Sequence, residues 1–562
     1  MVQSELDEFL QEQRKAAEER AARKRAEKLS LDYLDLISVS APTEIKAMEL
    51  IKEEDARRGK LVPVQLIRKK LIVAVFNPSL PEAVKLIKQL EKNYTVTVVI
   101  ATESGLRHAW SYYQYVKETP KHVSGAVTID PERIQQIQQD IQTLKNFTSA
   151  LETFKNPQIS RVLELVLGGA VALGASDIHL EPGKEANFVR IRIDGMLHIV
   201  SVNMSEKLYH ALVSRIKLLS NLKLNIKDEA QDGRFTINLP KRDIEIRSSV
   251  IPSEYGETVV MRLLDPGALD VSLEKLGWRK DDLEIIKQET SKPNGLILNT
   301  GPTGSGKTTT LYAFLKQANK PEIKIITVED PVEYHLDGVS QTQVDPDAGY
   351  TFASGLRSIL RQDPDIILIG EIRDKETAGI ALNASLTGHL VFSTLHTNDA
   401  VGAVPRLIDL GAKPNILGPA LSVVIAQRLV RKLCPACKEA VGADTIKREV
   451  IDAFLNSLPK RVDRAPYKNP TIYKSVGCTE CNNIGYKGRT SIFELFVISE
   501  PIEQAIYKSP TELELKELAR TQGMVTMQED GVLKIFQGIT DIAEVERLTG
   551  SIVWTQTKNT SI

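Results

Sequence analysis

Hydrophobic rhythm divides the chain. From Lys60 the stretch KLVPVQLIRKKLIVAVFNP alternates apolar and polar positions and predicts two strands joined by a turn. NPSLPEAVKLIKQLEKN follows with the spacing of a capped helix, and YTVTVVIAT returns to strand. These elements predict a small N-terminal α/β domain over residues 31–116. A polar connector over 117–156 carries a Gln-rich helical stretch, PERIQQIQQDIQTLKN, of the kind that tethers domains. Over 157–265 a helix, RVLELVLGGAVALGAS, precedes alternating segments: NFVRIRIDGMLHIVS, GRFTINLP, RDIEIRSSVI and ETVVMRLL. That pattern predicts a sheet with helices to one side. After a connector over 266–290 the rhythm changes. LILNT, IKIITVED, DIILIGE and HLVFSTLH are nearly continuously apolar and alternate with helical stretches. A parallel sheet covered on both faces requires such strands. This third domain is expected over 291–433, a cysteine-bearing module over 434–490 and a helix-rich tail over 491–562. The first 30 residues read as a charged, solvated helix. The fold class is α/β multidomain.

Length and composition fit this division. A chain of 562 residues exceeds one ordinary core. Its 42% hydrophobic and 26% charged residues suit soluble globular domains. A formal net charge of −1 gives no bulk electrostatic footprint for nucleic acid, so no direct nucleic-acid contact is expected. The most apolar longer run, Val162 to Ser176, is too short for a membrane span, and the start lacks the apolar region of a signal peptide. A cytoplasmic location is the expectation, with membrane contact only through partners.

The strongest chemical signal is GPTGSGKT, Gly301 to Thr308, between the strand LILNT and the helical TTLYAFLKQ. A glycine-rich loop in that context turns backbone N–H groups onto phosphates, aided by the helix N-terminus. Gly301, Pro302, Thr303, Gly304, Ser305, Gly306, Lys307, Thr308 and Thr309 are the candidate nucleotide-binding residues. Lys307 is expected on the β- and γ-phosphates and Thr308 on Mg²⁺.

Acids and histidines follow. ITVEDPVEYH places Glu329, Asp330 and Glu333 after an apolar strand, where carboxylates face a ligand crevice. Arg357 and Arg361 in LRSILRQDPD are spaced to share a helical face. IILIGEIRD ends a buried strand on Gly370 and Glu371, where an aspartate is the usual magnesium ligand. TGHLVFSTLHTN brackets a strand with His389 and His396. Each of these alone also reads as ordinary structure: a capping acid, a surface basic pair, strand-end histidines.

Four cysteines fall in two pairs, Cys434 with Cys437 and Cys478 with Cys481, separated by 40 residues. Each Cys-x-x-Cys can supply two thiolates to one tetrahedral zinc, and a redox dithiol is the rival reading.

Taken in order, GPTGSGKT, ITVEDPVEY, LRSILRQDPDIILIGEIRD and TGHLVFSTLHTN resemble the Walker A, Asp box, Walker B and His box of the secretion ATPases. These power type II secretion and type IV pilus assembly. The resemblance is close over about 157–495 and looser over 31–116. It implies a RecA-like ATPase domain preceded by a PAS-like domain, with ATP between them, in a cytoplasmic homohexamer at the inner face of the membrane. It also implies an inner-membrane platform protein as partner, and pilin or pseudopilin indirectly. Glu371 resembles the Walker B glutamate on the Mg²⁺ side, and Glu329 resembles the Asp-box glutamate, the expected general base. His389 and His396 resemble the nucleotide-sensing His-box residues. Arg247 and Arg262, in RSSVIPSEYGETVVMRLLD, match the PAS-like arginines that reach phosphates, with Arg357 and Arg361 from the ATPase domain. The tetracysteine module resembles that of assembly-type members, which supports structural zinc and separates the chain from pilus retraction ATPases. Some relatives bind cyclic di-GMP through Arg-Leu-Gly repeats; that repeat is absent, and the ligand is not expected. Pilus assembly is preferred to type II secretion. A nucleic-acid translocase and a nucleotide-binding scaffold are the further alternatives.

Overall fold

The computed structural model describes residues 17–37, 43–48, 50–67, 69–113, 126–128, 136–137, 139–153, 158–239, 243–269, 271–441 and 446–554. Of the charged helix expected over residues 1–30, residues 1–16 lie outside them, as does half of the connector over 117–156; residues 17–29 are helical but not simply solvated, because Ala22 and Ala26 are buried in the core of the first unit. The chain forms two compact units, Met1–Ser124 and Gly125–Ile562.

The first unit holds a four-stranded sheet. Its strands are β1 (Asp32–Tyr33), β2 (Leu61–Ile67), β3 (Lys70–Val75) and β4 (Thr95–Ile100), in the order β1-β4-β3-β2. β2 and β3 pair antiparallel, as their alternation predicts. Pro63 cannot donate to a ladder, and it sits in the edge strand. Proline starts the helix Pro81–Glu91, and the Thr102 hydroxyl accepts the Gly105 N–H at 2.9 Å to begin Glu103–Ser111.

The second unit contains two seven-stranded sheets. One comprises β5 (Ala126–Thr128), β6 (Asp177–Glu181), β7 (Asn187–Ile193), β8 (Met196–Met204), β9 (Gln231–Asn238), β10 (Asp243–Ser253) and β11 (Gly256–Leu264), in the order β5-β9-β10-β11-β6-β7-β8. Alternation buries Ile178, Ile191, Phe235, Ile246 and Met261 against the helices Ile159–Ala172 and Glu206–Leu219. The opposite face carries a cross-strand row in direct register: Arg234, Arg247, Arg262, Asp177 and Arg192.

The other sheet comprises β12 (Gly295–Thr300), β13 (Ile325–Glu329), β14 (Ser340–Gln343), β15 (Ile366–Ile369), β16 (Leu390–Leu395), β17 (Leu421–Leu433) and β20 (Tyr486–Val497). The short pair β18 (Glu439–Ala440) and β19 (Tyr473–Lys474) lies between the last two in sequence. The order is β14-β13-β15-β16-β12-β17-β20, parallel from β14 to β17. Successive residues enter different cores: Leu296 and Leu298 belong to one, Ile297 to the other. Burial on both faces is why these strands read as unbroken apolar runs.

The sheet does not stop at residue 433. β20 pairs antiparallel with β17 over Val423–Leu433, so residues that the sequence pattern assigned to the module and tail complete the ATPase sheet. The cysteine module is an excursion between two neighbouring strands. Its signal is weak because β17 outruns β12, whose last partner is Ala426; beyond it Gln427, Arg428, Arg431 and Lys432 break the apolar run. Among the described residues no helix is long and apolar enough to cross a membrane.

Candidate functional site

β12 delivers the chain to the loop Gly301–Gly306, and the helix Lys307–Ala318 leaves it. Gly301, Gly304 and Gly306 have φ of 149°, 78° and 89°, a region side chains avoid. Space matters too. A Cβ on Gly301 would lie 2.6 Å from the Gln427 carbonyl oxygen, and one on Gly306 2.8 Å from Gln427 Nε2. Gln427 is a buried hub: its Oε1 accepts from Asn299 at 2.8 Å and Thr310 at 2.9 Å, and its Nε2 donates to Ser491 at 3.0 Å. Pro302, Thr303 and Gly304 form the exposed crown of the loop, and Thr308 and Thr309 are half-buried in the first helical turn.

Two observations fit this cradle to a polyphosphate. The Ser305 hydroxyl is buried without a hydrogen-bond partner. Lys307 Nζ folds back to donate to the carbonyl oxygens of Gly301 at 2.7 Å and Pro302 at 3.1 Å. Burial, with Arg428 nearby, brings the Lys307 ammonium down to about 8 against the opposing pull of Glu371. An unmet donor and an unsettled cation at a helix N-terminus are what an anion would satisfy.

Glu371 follows β15 on the same edge. Its Oε1 lies 2.5 Å from Arg373 Nη2, and its Oε2 3.7 Å from His396 Nε2. His396 follows β16, and its imidazole is held below its ordinary range by burial and by Lys307. The position of the missing aspartate is closely packed. A Cβ on Gly370 would press on the Phe352 ring at 3.3 Å and touch the Glu329 Cα at 3.4 Å. The strand gives this position to close approach and the next to the carboxylate.

Other expected residues fall elsewhere. His389 precedes β16 and its backbone carbonyl accepts from Gly295, so it lies at the opposite edge of the sheet from the loop. Its Nδ1 is 3.0 Å from the Ala384 carbonyl oxygen, closing the helix Lys375–Leu386. Arg357 and Arg361 lie in consecutive but different turns. The helix ends at Ile359, and Arg361 lies in a tighter turn, Leu360–Gln362. Arg357 pairs with Glu376, and Arg361 donates to the Ser358 hydroxyl at 3.2 Å. Arg262 donates to Asp177 at 3.1 Å. Arg247 reaches the Asp-box loop, donating to Glu333 at 2.8 Å and the Val332 carbonyl at 2.7 Å.

Glu329 ends β13 at the expected edge but points inward. It is 4% exposed. Its Oε1 accepts from Thr327 at 2.5 Å and Gln341 at 3.3 Å, and its Oε2 accepts the Tyr312 phenol. Burial pushes its carboxyl up while these donors pull it down. Sequence reasoning missed Tyr312, which reads as one more apolar position of a buried helix. It also missed Gln427 and Arg428, whose signal is a polar pair interrupting an apolar strand beside the loop.

The four cysteines converge. Their sulfurs lie within 4.8 Å of one another, with Cys434–Cys478 at 3.9 Å, Cys437–Cys481 at 3.7 Å and Cys478–Cys481 at 3.8 Å. A zinc tetrahedron has a sulfur–sulfur edge of roughly 3.8 Å, given Zn–S bonds of about 2.3 Å. Backbone N–H groups of Gly477, Cys478 and Gly485 donate to these sulfurs at 3.2–3.3 Å. The cluster is compatible with zinc.

Comparison with known proteins gives this geometry a family. Residues 152–547 match the family described as Type II/IV secretion system protein, and residues 29–120 match the MshEN domain. Type II secretion system protein E of Pseudomonas aeruginosa is 47% identical over 399 residues, covering 71% of this chain and 77% of its own. Type IV pilus assembly ATPase PilB of Myxococcus xanthus is 38% identical over 501 residues, covering 89% and 86%. The solved structure of the Legionella pneumophila ATPase DotB superimposes with a TM-score of 0.52 at 20% identity, covering 70% of this chain and 97% of that one, a likeness of fold. The loop, the acid edge and the match over most of the chain lead to one conclusion: the protein belongs to the type II/IV secretion system protein family and is a P-loop ATPase.

Proposed function

We propose that the chain is a homohexameric motor whose ATP hydrolysis drives type IV pilus assembly through an inner-membrane platform protein. The supporting observation is the reach of the alignment to the pilus assembly ATPase, which extends over 89% of the chain. In this reading the protein works in the cytoplasm at the inner face of the membrane, meets pilin only indirectly and needs no nucleic acid. Deleting the gene in its host is expected to remove surface pili and leave exported enzymes unchanged. Loss of export with intact pili would move the assignment to the second reading, a type II secretion ATPase. That reading is favoured by 47% identity to a type II secretion protein over the shared 399 residues. A hexamer predicts six chain masses in light scattering with nucleotide; a stable monomer that turns over ATP would remove the ring.

Within the site, residues 301–309 hold the nucleotide phosphates, and Thr308 and Glu371 hold Mg²⁺, which supplies charge neutralisation at the transferring phosphoryl group. His396 senses the same edge. Arg247 and Arg262 are arginines that a moving or neighbouring PAS-like domain presents; His389, Arg357 and Arg361 would need a second subunit to contribute. Glu371, at the loop edge, is the better-placed general base, and Glu329 braces the strand end. Glu371→Gln is then expected to bind ATP and stall. Glu329→Gln stalling as completely, with Glu371→Gln active, would return the base role to Glu329. Cys434, Cys437, Cys478 and Cys481 hold one structural zinc per chain, which a metal assay on purified protein checks against four free thiols.

A further inference from the structure

We infer that Arg428 is a second cation of the phosphate site, supplied by the same chain and acting beside Lys307 on the polyphosphate of a bound nucleotide. The inference rests on reading Gly301–Thr308 as the nucleotide site. β17 runs parallel to β12, and Thr300 with Ala426 is their last paired position. Arg428 therefore stands two residues further along, on the edge where the loop begins. Its Nη1 lies 3.1 Å from where a Cβ on Gly301 would be.

The guanidinium is poorly compensated where it sits. Its Nη2 donates to the Asn398 carbonyl at 3.2 Å, and its Nη1 makes a marginal 3.5 Å contact with the carbonyl of Gln427. Among the described residues it forms no ion pair; Asp399 and Glu494 act on it only from further away. Half-burying an arginine without a carboxylate partner is costly, and setting it near another cation costs more. Lys307 is that cation, and its ammonium is depressed partly by Arg428. Two underpaired cations flank a glycine loop that ends in a buried, unpartnered serine hydroxyl. An anion with several oxygens relieves all three.

A bland alternative is that Arg428 only braces the turn after β16 through Asn398. That contact uses one N–H of five. A planar fork with free donors suits bidentate phosphate recognition better than a single brace requires.

The test is nucleotide binding by full-length protein, with fluorescent ATP and ADP analogues as probes. Arg428→Gln is expected to weaken both about tenfold or more, the size of a lost charged hydrogen bond. Arg428→Lys should recover part of that loss. Thermal melting without nucleotide should be unchanged, while the stabilisation added by nucleotide shrinks. A purely structural brace predicts the reverse, a lower melting temperature without nucleotide and normal affinity, and that result overturns the inference. Should the Gln variant not fold, wild-type affinity in Arg428→Lys and Arg428→Met together would also overturn it. Lys307→Ala separates the two levels: normal binding there defeats the reading of the loop itself, whatever Arg428 does.

Discussion

Two clusters of charge adjoin the ATPase sheet, and they are built on opposite terms. The first is a knot of three cations and three carboxylates. Arg279 contacts Asp281 at 3.2 Å, Asp282 at 2.5 Å and Asp530 at 3.3 Å. Lys534 meets Asp530 at 2.6 Å, and Arg461 meets Asp282 at 2.8 Å and also Asp281. Asp530 accepts the Phe493 N–H from β20 as well. The second is the phosphate edge, where Arg373 pairs with Glu371, Lys307 feels that carboxylate from further away, and Arg428 stands beside Lys307 without an ion pair among the described residues. In the knot every charge is met, and Arg279, Asp282, Asp530 and Lys534 are all buried. At the edge Lys307 and Arg428 have no carboxylate in direct contact among the described residues, and they stay partly solvated. Buried charge is retained when partners satisfy it. Charge left short of partners in a cleft points to a ligand that completes it.

The sharpest way to break this contrast is to remove one cation from each side. Lys307→Ala should lower ATP turnover on the order of 10³-fold, about 4 kcal/mol of transition-state stabilisation. Its melting temperature without nucleotide should not fall, because the ammonium is an uncompensated charge there. Turnover is read by phosphate release and folding by thermal melting. If the variant melts as early as one from the knot, Lys307 belongs to the architecture and the contrast collapses.

Removing charge from the knot should do the opposite. Asp530→Asn keeps the shape and leaves Arg279 and Lys534 short of a buried partner. The expected cost is about 3 kcal/mol of stability, seen in denaturant unfolding. Turnover per folded molecule should stay close to wild type. A loss of turnover larger than the loss of folded protein would tie the knot to catalysis.

The contrast also explains what the sequence disclosed. The phosphate loop was legible because its glycines answer to backbone conformation, a local property written in a short motif. The parallel strands were legible because burial on both faces leaves no polar positions. The knot was not legible: Arg279 and Asp530 are 251 residues apart, and only the tertiary fold pairs them. β20 was missed for a related reason, since its partner β17 is reached across the whole cysteine module. Paired motifs misled where spacing was read as direction. His389 and His396 bracket one strand, so they occupy opposite edges of the sheet. Arg357 and Arg361 find separate partners, Glu376 and the Ser358 hydroxyl.

Glu329 is the intermediate case, a buried carboxylate satisfied by neutral donors. Tyr312→Phe removes the phenol and leaves one oxygen without that donor. The expected cost is about 1–2 kcal/mol of stability, smaller than for the knot because Thr327 and Gln341 remain. Should the variant lose turnover far beyond that, Glu329 would join the phosphate edge, and the general-base assignment would return to it.

The smallest expected effect is also the most direct reading of the uncompensated edge. In the free protein Lys307 titrates at about 8, whereas an unperturbed lysine titrates at 10.5. Below pH 8 the lysine is protonated in both folded and unfolded states, and the folded state carries the full penalty of burying the ammonium. As pH rises from 8 towards 10.5 the folded protein sheds this proton before the unfolded chain does. Stability then rises with pH in that window relative to Lys307→Met, with no difference in slope below it. Nucleotide binding runs the linkage the other way. Phosphate oxygens favour the ammonium, so ATP binding at pH 8.5 should take up a fraction of a proton, and at pH 7 almost none. Calorimetry in two buffers of different ionisation heat measures that uptake. Arg428→Gln should shrink it, because the cation that helps to depress Lys307 is gone. Uptake that is absent at pH 8.5 in the wild type would mean that Glu371 already compensates Lys307, and the phosphate edge would then be closed on itself in the manner of the knot.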